Sequence, residues 1–197
     1  SKILEKDNVN IWKGNSSEEY LRSIHLEYEE GDCGPIYGFQ WRHFNANYID
    51  CKTNYEDKGI DQFKKVIEQL KEDPTSRRIL MTGWNPCQLD EMALPPCHVL
   101  YQFYVRDENS KRYLDCQMYQ RSGDMFLGVP FNIASTSLLT YIVSKLVDMR
   151  PGKVKIVIGD AHIYENHINQ VEKQLTRNPY EFPRLKITNF STIKDLK

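Results

Sequence analysis

The stretch from residue 98 to residue 164 most constrains the fold. It holds two closely spaced strand-like runs, the longest helical pattern in the chain, and a further strand-like run. "VLYQFYV" (99–105) and "RYLDCQMYQRSGD" (112–124) are separated only by polar residues from Asp107 to Lys111. That spacing predicts an antiparallel hairpin. Residues 131–149 set Leu138, Leu139, Ile142, Val143, Leu146 and Val147 on one broad apolar face, which predicts a helix stopped by Arg150-Pro151-Gly152. "KVKIVIGDAHIY" (153–164) follows as a strand and "ENHINQVEKQL" (165–175) as an amphipathic helix ended by Asn178-Pro179. Upstream, "IDQFKKVIEQLKE" (60–72) is an amphipathic helix ended by Asp73-Pro74, and "SRRILMTGW" (76–84) is a strand. Residues 14–59 read as long loops with short helical pieces, and "FPRLKI" (182–187) as an edge strand. Helices and strands are mixed without strict β-α-β alternation. The fold class is therefore α+β, with a mainly antiparallel mixed sheet packed by long helices and one domain over residues 1–197.

Composition narrows the function classes. A formal net charge of -1 gives no global attraction to nucleic acid or to a membrane surface. No apolar run approaches the ~20 residues of a membrane span. Five cysteines without a C-x-x-C pair argue against a disulfide framework or a zinc ribbon, and fit reduced thiols in a cytoplasmic protein. The histidines include no H-E-x-x-H, and His162 and His167 lie five apart, so no metal is expected. The motifs of ATP and dinucleotide binding, G-x-x-x-x-G-K-[ST] and G-x-G-x-x-G, are absent.

Four stretches could carry chemistry. In "PPCH" (95–98), two prolines deliver Cys97 to a strand start. A reactive cysteine needs a positive environment, and Arg77, Arg78 and Arg121 are the candidates for supplying it. His98 is adjacent, points to the other strand face, and is no obvious base. A lone cysteine is more often core than nucleophile. In "YQRSGD" (119–124), Arg121 beside Ser122 suits a phosphate, with Gln120 and Asp124 close in sequence. A polar strand end explains the same residues, and Gly123 is expected to bend the strand. Asn132, in "GVPFN", is either an N-cap or an amide reading a base edge. In "GDAHIY" (159–164), His162 and Tyr164 share a strand face and could bind a sugar hydroxyl, or end an ordinary turn. "GPIYGFQWRHF" (34–44) adds aromatic and cationic side chains of the kind that line ligand sites.

Together, "ALPPCH", "YQRSGDMFLGVPFNIAS", "GDAHIYENH", "DPTSRRI", "NVNIW" and "GPIYGFQWRHF" resemble the thymidylate synthase family across essentially the whole chain. The nearest members look like synthases of bifunctional reductase–synthase proteins or of large DNA viruses. The resemblance implies the family's fold and reductive methylation of dUMP to dTMP, with 5,10-methylenetetrahydrofolate as carbon and hydride donor. Cys97 would be the nucleophile, and Tyr37 would assist proton transfers. Arg121, Ser122 and Gln120 would hold the nucleotide. Arg77 and Arg78 would reach the phosphate in the other subunit of a homodimer. Asn132 would select uracil, and His162 and Tyr164 would bind the deoxyribose. Asp124 would contact the pterin, and Ile11, Trp12, Leu127, Gly128 and Phe131 would complete the folate site. A dihydrofolate reductase domain fused to the synthase, or associated with it, is a further expected partner.

Two departures stand out. Gly123 replaces a cysteine common in the family and is expected to matter little. The family's N-terminal arginine loop, its glutamate helix and its C-terminal closing tail are expected to lie outside these residues. The full-length protein is expected to be active, and the 197-residue piece poorly active. Three rivals remain. One is a uridylate hydroxymethylase on the same fold; Asn132 argues against a cytidylate enzyme, and Trp12 leans toward the synthase. Another is a noncatalytic module derived from the fold. The last is a Cys-His hydrolase, which needs a base facing Cys97.

Overall fold

A computed structural model describes residues 2–188 together with 192 and 193. Among the described residues, six α-helices occur: α1 (Lys2–Glu5), α2 (Glu18–Ser23), α3 (Gly38–His43), α4 (Gln62–Glu72), α5 (Gly128–Leu146) and α6 (Ile168–Leu175). Four strands, β1 (Leu80–Thr82), β2 (His98–Glu108), β3 (Lys111–Asp124) and β4 (Arg150–His162), form one sheet in the order β1-β2-β3-β4. No helix among the described residues is long and apolar enough to cross a membrane.

The chain divides into two compact units. The first comprises residues 1–66 and 80–100. Here the Gly83 N–H donates to the Val99 carbonyl at 3.0 Å, and the Thr82 hydroxyl donates to the same carbonyl at 2.7 Å. A buried amide cluster braces the loop before α3. Gln40 Nε2 donates to the Pro35 carbonyl at 2.7 Å and to Gln88 Oε1 at 3.1 Å. Asn85 Nδ2 donates to Gln88 Oε1 at 2.9 Å and to Gln40 Oε1 at 3.2 Å. Buried amides persist only when their donors and acceptors are matched in this way.

The second unit comprises residues 67–79 and 101–197. Asn109 and Ser110 join β2 to β3 with φ of 51° and 58°. Positive φ at both positions is the signature of the two-residue turn that suits a right-twisted antiparallel hairpin. β3 then pairs with β4 in parallel, with Met118 opposite Ile156 and Gln120 opposite Ile158. A parallel pair needs a crossover, and α5 supplies it. The sheet is thus mainly antiparallel but contains one β-α-β unit. Leu114, Cys116, Met118 and Gln120 are buried in alternation along β3. Val129, Leu139, Val143 and Leu146 of α5 are buried in the same unit, and α5 packs on β3 and β4. Each such aliphatic side chain stabilises by roughly 1.5–3 kcal/mol when fully buried.

Three boundary expectations are corrected. α5 begins at Gly128 instead of 131, because Pro130 in the first turn needs no hydrogen-bond acceptor. It ends before Arg150-Pro151-Gly152, which belongs to β4. Asp148 at φ 54° turns the chain, and the Met149 N–H closes on the Ser144 carbonyl at 2.9 Å. That is a Schellman termination. Residues 182–187 form no strand, and residues 179–188 have no regular structure.

Candidate functional site

Cys97 sits half-buried one residue before β2. Its N–H donates to the Tyr37 hydroxyl at 3.0 Å. Tyr37 precedes α3 at φ 37°, a conformation costly for a bulky residue. The Gln40–Asn85–Gln88 cluster anchors the adjoining loop at Pro35. The Tyr37 ring meets the Trp12 ring at 5.9 Å and the His98 ring at 5.7 Å, both edge-to-face. The structure therefore brings Cys97, Tyr37, His98 and Trp12 together. Trp12 also lines a cleft of about 420 Å³ with Leu4, Ile36 and Tyr48. Ile11 is 65% exposed.

Three of the other cysteines, Cys33, Cys51 and Cys116, are poor nucleophile candidates. Burial pushes the Cys116 thiol up to about 12, against an opposing hydrogen bond from Thr140. Burial also raises Cys33 and Cys51, and the Asp32 carboxylate adds to both. A thiol raised in this way is a weaker source of thiolate at neutral pH.

In the second unit, "YQRSGD" is the C-terminal part of β3. The strand does not bend at Gly123: Gly123 pairs with Ala161 and Asp124 with His162. The chain turns only afterwards, where Asp124 Oδ1 accepts the N–H groups of Phe126 and Leu127 at 3.0 and 3.1 Å. Arg121 and Ser122 are partly buried in the strand, and Gln120 is buried. Gln120 Nε2 donates to Asn132 Oδ1 at 2.8 Å and to the Ser122 carbonyl at 2.9 Å. Asn132 is the fifth residue of α5, so its N-cap reading is overturned; the amide faces Gln120 instead. Gly128 opens α5 one turn earlier, and a Cβ there would lie 3.7 Å from Asn132 Oδ1.

Leu127 and Phe131 stand about one helical turn apart and are 50% and 68% exposed. Two large apolar side chains are thus left open just after the turn that Asp124 closes. At the end of β4, the His162 and Tyr164 rings meet edge-to-face at 5.1 Å. His162 Nδ1 lies 3.3 Å from Asp160 Oδ1, which directs Nε2 elsewhere. Arg77 and Arg78 are exposed in the turn between α4 and β1. Arg77 lines a cleft of about 240 Å³ with Tyr104, Gln117, Lys153 and Lys155.

Sequence reading missed the Tyr37 hydroxyl as acceptor for the Cys97 N–H, the bracing amides, and the Ser122 carbonyl. The "GPIYGFQWRHF" composition was the one signal for the first of these. The amides are 45 and 48 positions apart and left no pattern.

The family model described as thymidylate synthase matches residues 1–197. A bifunctional dihydrofolate reductase-thymidylate synthase from Zea mays is 55% identical over 188 residues, covering 95% of this chain and 35% of that protein. Thymidylate synthase of Saccharomyces cerevisiae is 50% identical over 200 residues, covering 98% of this chain and 65% of the relative. Thymidylate synthase of Equine herpesvirus 2 is 53% identical over 188 residues, covering 95% and 64%. The chain thus spans between 35% and 65% of the length of these relatives. The match over every residue and the identities of 50% and above place this chain in the thymidylate synthase family.

Proposed function

We propose that the full-length protein converts dUMP to dTMP, with 5,10-methylenetetrahydrofolate as cosubstrate. The observation that carries this reading is the half-buried Cys97 held by its N–H on the Tyr37 hydroxyl. The thiolate of Cys97 adds to C6 of the uracil ring, and the displaced electron pair makes C5 a carbon nucleophile. The folate supplies the one-carbon unit and, by hydride transfer, the electrons, and leaves as dihydrofolate. Tyr37, in contact with Cys97, assists removal of the C5 proton. Cys97 departs from C6 as the methylated ring regains its double bond.

The remaining residues bind and orient. Arg121 and Ser122 take the nucleotide phosphate through charge-assisted hydrogen bonds. Asn132, held by Gln120, reads the pyrimidine edge. His162 Nε2 and the Tyr164 hydroxyl bind the deoxyribose hydroxyl. Asp124 meets the polar edge of the pterin, and Ile11, Trp12, Leu127, Gly128 and Phe131 meet its apolar surfaces.

The protein acts as a homodimer in the cytoplasm, and Arg77 and Arg78 complete the partner's phosphate site. Support comes from the sheet face opposite the buried side chains of β3. Tyr119 and Val157, paired in register, are 42% and 46% exposed there. An apolar sheet face of this kind calls for a cover. A fused dihydrofolate reductase domain is a further part of the proposal, motivated by the bifunctional relatives.

Product analysis tests the reading. Full-length protein with dUMP and 5,10-methylenetetrahydrofolate should yield dTMP and dihydrofolate in equal amounts. A 5-hydroxymethyl nucleotide with tetrahydrofolate would assign the hydroxymethylase instead, and no product would remove both.

A further inference from the structure

We propose that Lys153 and Lys155 join Arg77 in a binding site for a phosphate dianion. The inference goes beyond the role given above to Arg77, because it adds two cations from β4 that no motif of the sequence marked.

The cleft of about 240 Å³ lies within the second unit. Arg77 and Ser76 enter it from the turn between α4 and β1, Gln117 from β3, and Lys153 and Lys155 from β4. The two lysines stand two apart in an extended strand whose exposure alternates, so their side chains share one face. Lys155 pairs in register with Gln117, on the same wall of the cleft. Lys153 is fixed differently. The register of β3 shifts between Leu114 and Cys116, and there Asp115 Oδ1 accepts the Lys153 N–H at 2.7 Å. Gly152 permits this approach, because a Cβ there would collide with the same carboxylate oxygen. Both lysines therefore stand on paired strand backbone and not on a loop, which lowers the cost of ordering them around a ligand.

The charges in the cleft are not balanced from within. Its carboxylate, Asp115, is already engaged: Oδ2 accepts from Arg106 Nε at 3.1 Å, and Oδ1 holds the Lys153 N–H. Among the described residues, Arg77, Lys153 and Lys155 form no ion pair. A concave wall lined by one sign of charge concentrates its potential and draws a counter-charge. The donors select which one. A guanidinium offers a planar fork, two ammonium groups offer compact charges with rotatable donors, and the Ser76 hydroxyl adds a neutral donor. That set exceeds what the two oxygens of a carboxylate can accept, and suits the three outer oxygens of a phosphate monoester. The volume admits a phosphate with part of the group it esterifies, and is too small for an extended polyanion. Two sources carry this chemistry: free phosphate, and the phosphate of dUMP held by the other subunit of the proposed dimer.

The test uses full-length protein, inorganic phosphate and dUMP at constant ionic strength, so that screening is the same throughout. Phosphate is titrated in the presence of saturating dUMP, which fills the site proposed at Arg121 and Ser122. Lys153→Gln/Lys155→Gln removes both charges and nearly keeps side-chain length. If the cleft takes free phosphate, phosphate affinity should fall by about tenfold or more in this variant while dUMP affinity holds. If it takes the phosphate of dUMP, dUMP affinity should fall by about that factor while that of deoxyuridine, which lacks the phosphate, holds. In either case Lys153→Arg/Lys155→Arg should bind within about threefold of wild type, since both charges remain. If the glutamine variant matches wild type within about twofold for phosphate and for dUMP, the cleft is a solvated basic face and the proposal is refuted. A wild type that binds phosphate through these lysines but does not bind dUMP would instead remove the function proposed above and leave this site standing.

Discussion

Replacing Gln88 by leucine removes the centre of the buried amide cluster while nearly conserving volume. The Gln88 side chain is 6% exposed. It accepts from Gln40 at 3.1 Å and Asn85 at 2.9 Å, and donates to the Ala46 carbonyl at 2.9 Å and Glu91 at 3.3 Å. After the change, Gln40 Nε2 keeps the Pro35 carbonyl and Asn85 Nδ2 keeps Gln40 Oε1. The buried Ala46 carbonyl loses the Gln88 donor. Two well-formed bonds at about 1 kcal/mol each, plus the desolvation left on Ala46, give a loss of about 2–4 kcal/mol. Urea unfolding of the full-length protein measures it: the midpoint should fall with the slope unchanged. A stability loss under about 0.5 kcal/mol would show that the cluster adds nothing beyond its packing.

Other perturbations separate the roles. Tyr37→Phe removes the acceptor for the Cys97 N–H, and turnover should fall by at least about twofold to tenfold, the range set by one net hydrogen bond; unchanged single-turnover rates would contradict the assigned contact. Cys116 has a raised thiol, so the unfolded chain loses its proton at lower pH than the native one. Its contribution to stability is therefore present below about pH 9 and is lost between the unfolded value and about 12. Cys116→Ala should flatten the alkaline decline in stability, and identical declines would refute the assignment. If Arg77 and Arg78 act across a dimer, mixing Cys97→Ser with a double Arg77→Ala/Arg78→Ala variant, each inactive alone, should restore about a quarter of wild-type activity after subunit exchange. No recovery, with exchange verified, would place both arginines in their own subunit's site or outside it.

The strand positions on either side of the hairpin were readable because polar residues 107–111 interrupt two alternating runs, and the turn needs no distant partner. The β3–β4 pairing was harder to read. Its parallel sense depends on α5 crossing over, and no local pattern separates that from another antiparallel return. The start of α5 was misread because Gly128 and Pro130 look like turn residues, although a first helical turn tolerates proline. That shift moved Asn132 from a cap to the fifth residue of α5, where its amide faces Gln120. The run at 182–187 has strand-like composition, but a strand exists only through pairing, and it pairs with nothing among the described residues. Cys97 and Tyr37 were each visible as unusual residues. Their contact spans 60 positions and is a property of the folded chain.

Covalent trapping tests the role of Cys97 most directly. Full-length protein is incubated with 5-fluoro-dUMP and 5,10-methylenetetrahydrofolate, digested, and read by mass spectrometry. Fluorine cannot leave C5 as a cation, so a ternary adduct should accumulate on the peptide bearing Cys97 and vanish in Cys97→Ser. Absence of an adduct, or an adduct on any other cysteine, would contradict the nucleophile assignment and with it the proposed reaction.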